Sequence, residues 1–242
     1  MLHSTKGIVL RSVKYGDTSI VVSIYTELFG LQSYLVNGVR SERKLSIKAN
    51  AYQASTLLDL IVYHTPNKNL QRIKEARLHY IYDYMQHQVV KNTIAIYACE
   101  LIYKTISEPE TNQMLYDFFE TSFLYIDKAP EADLANFPIL FTIQLAEKLG
   151  FAIEDSYSEE ANVLDMMNGR YTTRQALQSA HFVDGENAKL ISSFLDENKW
   201  QSIVLNQQKR KALLAIVIQY LSLHIPHMNE LKSVDVLHEI LS

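Results

Sequence analysis

The chain has 242 residues, 48% apolar and 21% charged, with a net charge of −4 and one cysteine. That length buries a full core, as one larger or two smaller domains, and the apolar share excludes long disorder and a fibrous or collagen-like chain. The net charge hides a division: residues 1–82 carry eleven Lys and Arg against five Asp and Glu, and residues 83–242 carry twelve against twenty-two. A basic first part suggests a polyanionic partner and an acidic remainder a different one, although two unevenly solvated surfaces give the same count.

Cys99 alone forms no internal disulfide and no multi-cysteine zinc site, so a reducing compartment and a packed thiol are expected. The opening residues, MLHSTKG, hold no apolar signal core, which gives a cytoplasmic address. The most apolar late run, residues 212–223, falls short of the ~18 residues of a spanning helix, so no membrane is involved.

Residues 7–15 alternate Ile8 and Leu10 with Val9, Arg11 and Val13, the period of a strand with one face in a core. Tyr15-Gly16-Asp17-Thr18 supplies a tight reversal, and residues 19–26 send Ile20, Val22 and Ile24 to one side, completing a hairpin. Residues 31–36 form a third strand. Asn37-Gly38 then marks a turn or bulge, followed at once by Arg40, Arg43 and Lys44. After a short connection, residues 55–65 place Leu58, Leu60 and Val62 on one face and Leu57, Asp59 and Ile61 on the other. Pro66-Asn67-Lys68-Asn69 turns the chain. Residues 70–80 return with Leu70, Arg72, Lys74 and Ala76 opposite Gln71, Ile73, Glu75 and Arg77.

Five short, turn-linked strands suit a small closed barrel, because closure removes unpaired edges, and an OB-fold is the leading form. Such barrels bind single-stranded nucleic acid through a basic groove with aromatic platforms. Tyr15, Tyr25, Tyr34, Tyr52 and Tyr63 are candidate platforms and equally candidates for barrel-wall packing.

From Asp83 the period changes to that of a helix: Val90, Ile94, Tyr97 and Leu101 predict one of about 24 residues ending before Pro109. Ser107 and Glu110 have capping-box spacing, so a second helix is expected from near Glu108, carrying Leu115, Phe118, Ser122 and Tyr125. A third runs over residues 136–149, with Gly150 as its stop. Residues 154–171 read as polar and irregular. Shorter helices are expected near residues 173–179, 185–198 and 209–224, with a last one over 234–241.

Little looks catalytic, and no enzyme activity is expected. The seven glycines are too dispersed for a phosphate loop or dinucleotide fingerprint, and there is no G-x-S-x-G elbow. His224 and His227 have a metal-like spacing, but Pro226 separates them and no carboxylate motif accompanies them, so they read as a surface helix end. Glu108/Glu110 and Glu159-Glu160 read as solvated acidic pairs. Lys209-Arg210-Lys211, the one basic cluster of the acidic part, is either a solvated helix start or an anion or partner contact.

Several stretches then share one likeness: G-I-V-L-R, Y-G-D-T, Y-T-E-L-F-G, N-G-V-R-S-E-R-K, R-I-K-E-A and L-A-E-K-L-G-F, in this order and spacing. Together they resemble the RecO recombination mediator family, most strongly over residues 6–82 and 137–151. The resemblance implies an α+β protein. A five-stranded OB-fold barrel that binds DNA would occupy residues 1–82, and an all-α helical, partner-binding domain residues 83–242. It further implies binding of single- and double-stranded DNA, annealing of complementary strands, and work with RecR. The partners implied also include the acidic C-terminal tail of single-stranded DNA-binding protein and, indirectly, RecA, at the nucleoid during repair. Arg11, Lys14, Arg40, Arg43, Lys44, Arg72, Lys74 and Arg77 become candidate phosphate contacts, and Lys209, Arg210 and Lys211 candidate partner contacts.

One departure is plain. Many family members carry a four-cysteine zinc site after L-G-F, whereas the segment near residues 152–172 here has no cysteine. No zinc finger and no cofactor are therefore expected, and Leu164, Met166, Met167 and Tyr171 are expected to hold the segment by packing. Two other classes stay open beside the mediator: an interaction adaptor whose barrel binds no nucleic acid, and a nucleic-acid enzyme, for which the catalytic carboxylates or metal cluster are not found.

Overall fold

In the computed structural model five strands close into a barrel in the order β1-β2-β3-β5-β4. They are β1 (Leu2–Tyr15), β2 (Ser19–Thr26), β3 (Gly30–Val36), β4 (Leu57–Tyr63) and β5 (Gln71–Leu78). The structure describes residues 1–39, 51–66, 68–106, 110–196, 199–228 and 230–241. They divide into two units, Met1–Ala129 with Leu231–Leu237, and Pro130–Glu230 with His238–Ser242.

The barrel core follows the alternation of the sequence. Ile20, Val22 and Ile24 of β2 and Leu58, Leu60 and Val62 of β4 point inward with Val9 and Tyr34. Two bulges alter the expected faces. Val9 pairs with Ile24 but Arg11 with Ser23, so Leu10 is an extra residue. Val62 pairs with Ile73 but Ile61 with Glu75, so Lys74 is another. A bulge advances the chain by one residue without changing the face of its partner. Ile73 and Ala76 therefore both pack on the core, although strict alternation places them on opposite faces.

Ile8 and Leu10 are as buried as Val9, because helices cover this side of the barrel. Helix α1 (Val89–Thr105) lies against β1. The Cys99 thiol donates to the Val9 carbonyl at 3.7 Å, and burial pushes its pKa up to about 12, so it behaves as a small hydrophobe. Helix α2 (Gln113–Lys128) sets Phe119 edge-on to Tyr25 at 5.0 Å. Burying each such ring contributes about 1.5–3 kcal/mol by area.

Both helices start later than expected. Residues 83–88 are not helical. The buried Asp127 carboxylate accepts the backbone N–H groups of Asp83, Tyr84 and Met85 at 2.9–3.2 Å, which holds them in a turn. Its main-chain carbonyl accepts the buried Lys91 ammonium at 2.6 Å. Burial alone would raise the pKa of Asp127, but the three N–H donors and Lys128 outweigh it and hold the carboxyl below the usual range. Helix α2 is capped by Asn112, whose side chain accepts from Leu115 N–H at 3.0 Å, so Glu110 lies outside it. Ser107, Glu108 and Pro109 lie outside the described residues. The change of period at Asp83 is thus a change of secondary structure inside one unit.

The second unit holds α3 (Phe137–Lys148), α4 (Gly185–Leu195) and α5 (Gln207–His224), and the chain finishes on α6 (Ser233–Ile240). It is not all-α. Strands β6 (Val163–Asp165), β7 (Arg170–Thr172) and β8 (Phe182–Val183) form a small sheet in the order β7-β6-β8. Residues 174–176 make a turn in place of the expected helix. Leu164, Met166 and Tyr171 are buried as expected and the Tyr171 hydroxyl donates to the Ala188 carbonyl at 2.9 Å, but Met167 is exposed. Asp165 closes the β6–β7 turn by accepting from the backbone of Met167 and Asn168. Gly169, at φ +62°, sits where a Cβ would lie 2.5 Å from the Tyr220 hydroxyl. His224 is no surface residue: its Nε2 bonds to the Met166 carbonyl at 2.9 Å and its ring stacks on Phe151.

Candidate nucleic-acid interface

The barrel has one short seam. β3 and β5 pair in parallel only at Tyr34 with Gln71 and Leu35 with Arg72. Gln71, 2% exposed, fixes this point: its amide donates to the Thr65 and Lys68 carbonyls at 2.9 and 2.8 Å and accepts from Thr65 N–H at 3.0 Å. These three bonds close the β4–β5 turn on one side chain, so the start of β5 is held while its remainder diverges from β3.

The divergence opens a groove of about 920 Å³. Its apolar lining comes from Leu35, Val36, Ile73, Ala76 and Leu78, and Asn37, Ala51, Tyr52, Tyr63, Glu75 and Gln86 complete it. Arg72, Lys74 and Arg77 line it together. All three are exposed. Arg72 lies opposite Tyr63, and Lys74 is displaced by its bulge. Among the described residues Arg72 and Lys74 make no ion pair, and Arg77 stands 3.9 Å from Glu75 in an exposed pair that contributes little. Three cations along one strand beside an apolar lining suit a chain of phosphates whose bases turn inward.

Other sequence-predicted cations lie elsewhere. Arg11, on the outward face opposite Ser23, places its guanidinium 5.5 Å from the Tyr103 ring centre. Lys14 is exposed opposite Ile20 near the end of the hairpin, and neither residue lines the β5 groove. Arg40, Arg43 and Lys44 lie outside the described residues, between Asn37 and Ala51, which both line the groove.

The five tyrosines separate sharply. Tyr25, Tyr34 and Tyr52 are 1%, 0% and 7% exposed and belong to the core. Tyr15 and Tyr63 are 57% and 49% exposed, and only Tyr63 of these two faces the groove. Its position at the end of β4, out of phase with the inward Leu58, Leu60 and Val62, was the available signal. Leu35 and Gln86 were missed because only the closed barrel brings them to β5.

In the second unit the basic cluster is engaged internally. Lys209 pairs with Glu186. Arg210 turns inward, donating to the Leu241 and Leu205 carbonyls at 3.1 Å each and to Asn136 Oδ1 at 3.4 Å, and burial pulls its pKa below the ordinary value. Lys211 is half-buried and makes no ion pair among the described residues. A zinc ion does not fit the β6–β7 segment. It has no cysteine, and among the described residues no three His, Cys, Asp or Glu side chains are grouped to hold a metal. No helix of the described residues is long and apolar enough to cross a membrane.

Comparison with known proteins finds relatives of the whole chain. Residues 1–82 match the family described as Recombination protein O N terminal, and residues 86–160 match Recombination protein O C terminal. Relatives named DNA repair protein RecO include one from Bacteroides fragilis, 33% identical over 242 residues, and one from Christiangramia forsetii, 31% identical over 242 residues. Each alignment covers 99% of both chains. A third, from Flavobacterium psychrophilum, is 30% identical over 245 residues and covers 100% of both.

Proposed function

The chain belongs to the RecO family of DNA repair proteins, and from that premise we propose that its barrel binds single- and double-stranded DNA along β5 and anneals complementary strands. With RecR it then assists RecA onto DNA coated by single-stranded DNA-binding protein, in the cytoplasm at the nucleoid. The observation that carries the reading is the row Arg72, Lys74 and Arg77 beside the exposed ring of Tyr63. Cations without carboxylate partners, as Arg72 and Lys74 are among the described residues, exchange condensed counterions for phosphates, and an exposed ring offers a face to an unpaired base. Arg40, Arg43 and Lys44, outside the described residues, are proposed as further phosphate contacts.

No bond is made or broken in this role: the protein neutralises two polyanions so that they approach, and base pairing supplies the direction. The second unit is assigned to RecR and to the acidic tail of single-stranded DNA-binding protein, with Lys211 as a rim cation.

Annealing of two labelled complementary oligonucleotides, followed by energy transfer, tests the proposal. Wild type should accelerate pairing, and Arg72→Glu with Lys74→Glu should abolish the acceleration while leaving the melting temperature unchanged. Partner binding without any DNA binding would establish the adaptor instead. Magnesium-dependent shortening of the oligonucleotides would establish an enzyme.

A further inference from the structure

A second hollow, of about 580 Å³, lies at the other end of the same seam. β3 supplies Leu31–Ser33 to it and Leu35 and Val36 to the β5 groove. β5 supplies Gln71 to it and Arg72 onward to the groove. The two hollows are therefore end to end, separated only by the place where β3 and β5 touch. At about 3.3 Å per residue, Ser33 and Leu35 stand roughly 7 Å apart along the strand.

The second hollow has the chemistry of a nucleotide site. Phe29 and His64 stack with ring centres 4.0 Å apart and planes 8° from parallel. Tyr103 forms another part of the wall, with the Arg11 guanidinium 5.5 Å from its ring centre. Lys68 is exposed at the rim and makes no ion pair among the described residues. Gln32 donates its Nε2 to the Phe29 carbonyl at 2.9 Å, which leaves its amide oxygen as an acceptor. Among the described residues no Asp or Glu lines the hollow.

One polar atom there is unmatched. His64 Nδ1 is buried and has no hydrogen-bond partner among the described residues. Burial, His3 and the amino terminus all lower the pKa of this ring, which favours its neutral form and suits it to a base rather than to a phosphate.

We infer that this hollow is a second nucleotide subsite, and that one unpaired strand runs along the seam from the β5 groove past the β3–β5 contact to Tyr103 and Lys68. The inference rests on the DNA-binding reading and extends it. It gives Arg11 a place on the path and separates it from Lys14. It also favours unpaired over paired strands, because aromatic faces and an amide edge engage only a base that has left its partner.

Fluorescence anisotropy with thymidine oligonucleotides of increasing length, from about 4 to 16 residues, the span of known OB sites, tests the path. Lys68→Glu and Tyr103→Ala are compared with Tyr63→Ala. Lys68 lies on an exposed turn away from the core, so its variant should fold as wild type. Tyr63→Ala should weaken every length that binds. Lys68→Glu and Tyr103→Ala should leave the shortest bound oligonucleotide unchanged and weaken the longer ones, Tyr103→Ala by about fivefold or more, the value of stacking one base. If both bind every length as wild type does while Tyr63→Ala weakens them all, the strand ends in the β5 groove and the subsite is wrong, although the DNA-binding reading stands. If wild type binds no length at low salt, that reading fails and the subsite fails with it.

Discussion

Arg72 and Lys74 stand exposed on β5 with no ion pair among the described residues, whereas in the second unit Lys148, Arg174, Lys189, Lys199 and Lys209 each reach a carboxylate and Arg210 turns inward to three oxygens. Net charge does not distinguish these uses. A lysine beside a carboxylate is already locally neutralised and releases few counterions to a polyanion, while one standing alone releases its full share. The difference separates the free cations of β5 from these engaged ones, and Lys211, with no ion pair among the described residues, stands outside it.

The contrast breaks most visibly under charge reversal. Arg72→Glu with Lys74→Glu should lower affinity for a single strand and reduce the log-log salt slope by at least about 1.4, or about 0.7 for each phosphate that is no longer neutralised. Lys199→Glu with Lys209→Glu, an equal change of net charge, should leave the slope unaltered. Next in size, Tyr63→Ala should weaken single-strand binding by about 1–3 kcal/mol in anisotropy titrations and duplex binding far less, because only an unpaired base has a free face.

Variants of the engaged groups should do the reverse. Arg210→Ala leaves buried carbonyls without donors and should lower stability by about 1–3 kcal/mol in chemical denaturation, with oligonucleotide affinity unchanged. Asp127→Asn should cost a similar amount and carries a pH signature. The folded-state pKa of Asp127 is held below its unfolded value of about 3.9, so its contribution is complete above that pH and is lost as pH falls through the folded value. The stability difference between wild type and Asp127→Asn should accordingly shrink on acidification below about pH 4. Smallest of all, Lys209→Ala removes an exposed ion pair and should change stability by under about 1 kcal/mol.

The barrel was legible wherever one face of a strand meets a core. β2 begins and ends where its alternation does, and Leu58, Leu60 and Val62 share the face that their spacing requires. The bulges at Leu10 and Lys74 were not legible, because a bulge is a relation between two strands and leaves no period in either. The later start of α1 depends on Asp127, more than forty residues along the chain, whose carboxylate takes the N–H groups that a helix would use. Strands β6–β8, of two or three residues each, are too short to show a period. For the candidate site, sequence placed Arg72, Lys74 and Arg77 on one strand. It gave no means of separating Arg11 from Lys14, since that separation is made by Tyr103 of the helix packed on β1.

The most direct measurement is a salt titration of oligonucleotide affinity for the two charge-reversed pairs side by side. A flattened slope for Arg72→Glu with Lys74→Glu, and a wild-type slope for Lys199→Glu with Lys209→Glu, is the expected result. Equal flattening by both pairs would mean that DNA responds to net charge alone and that the unpaired cations of β5 have no special standing.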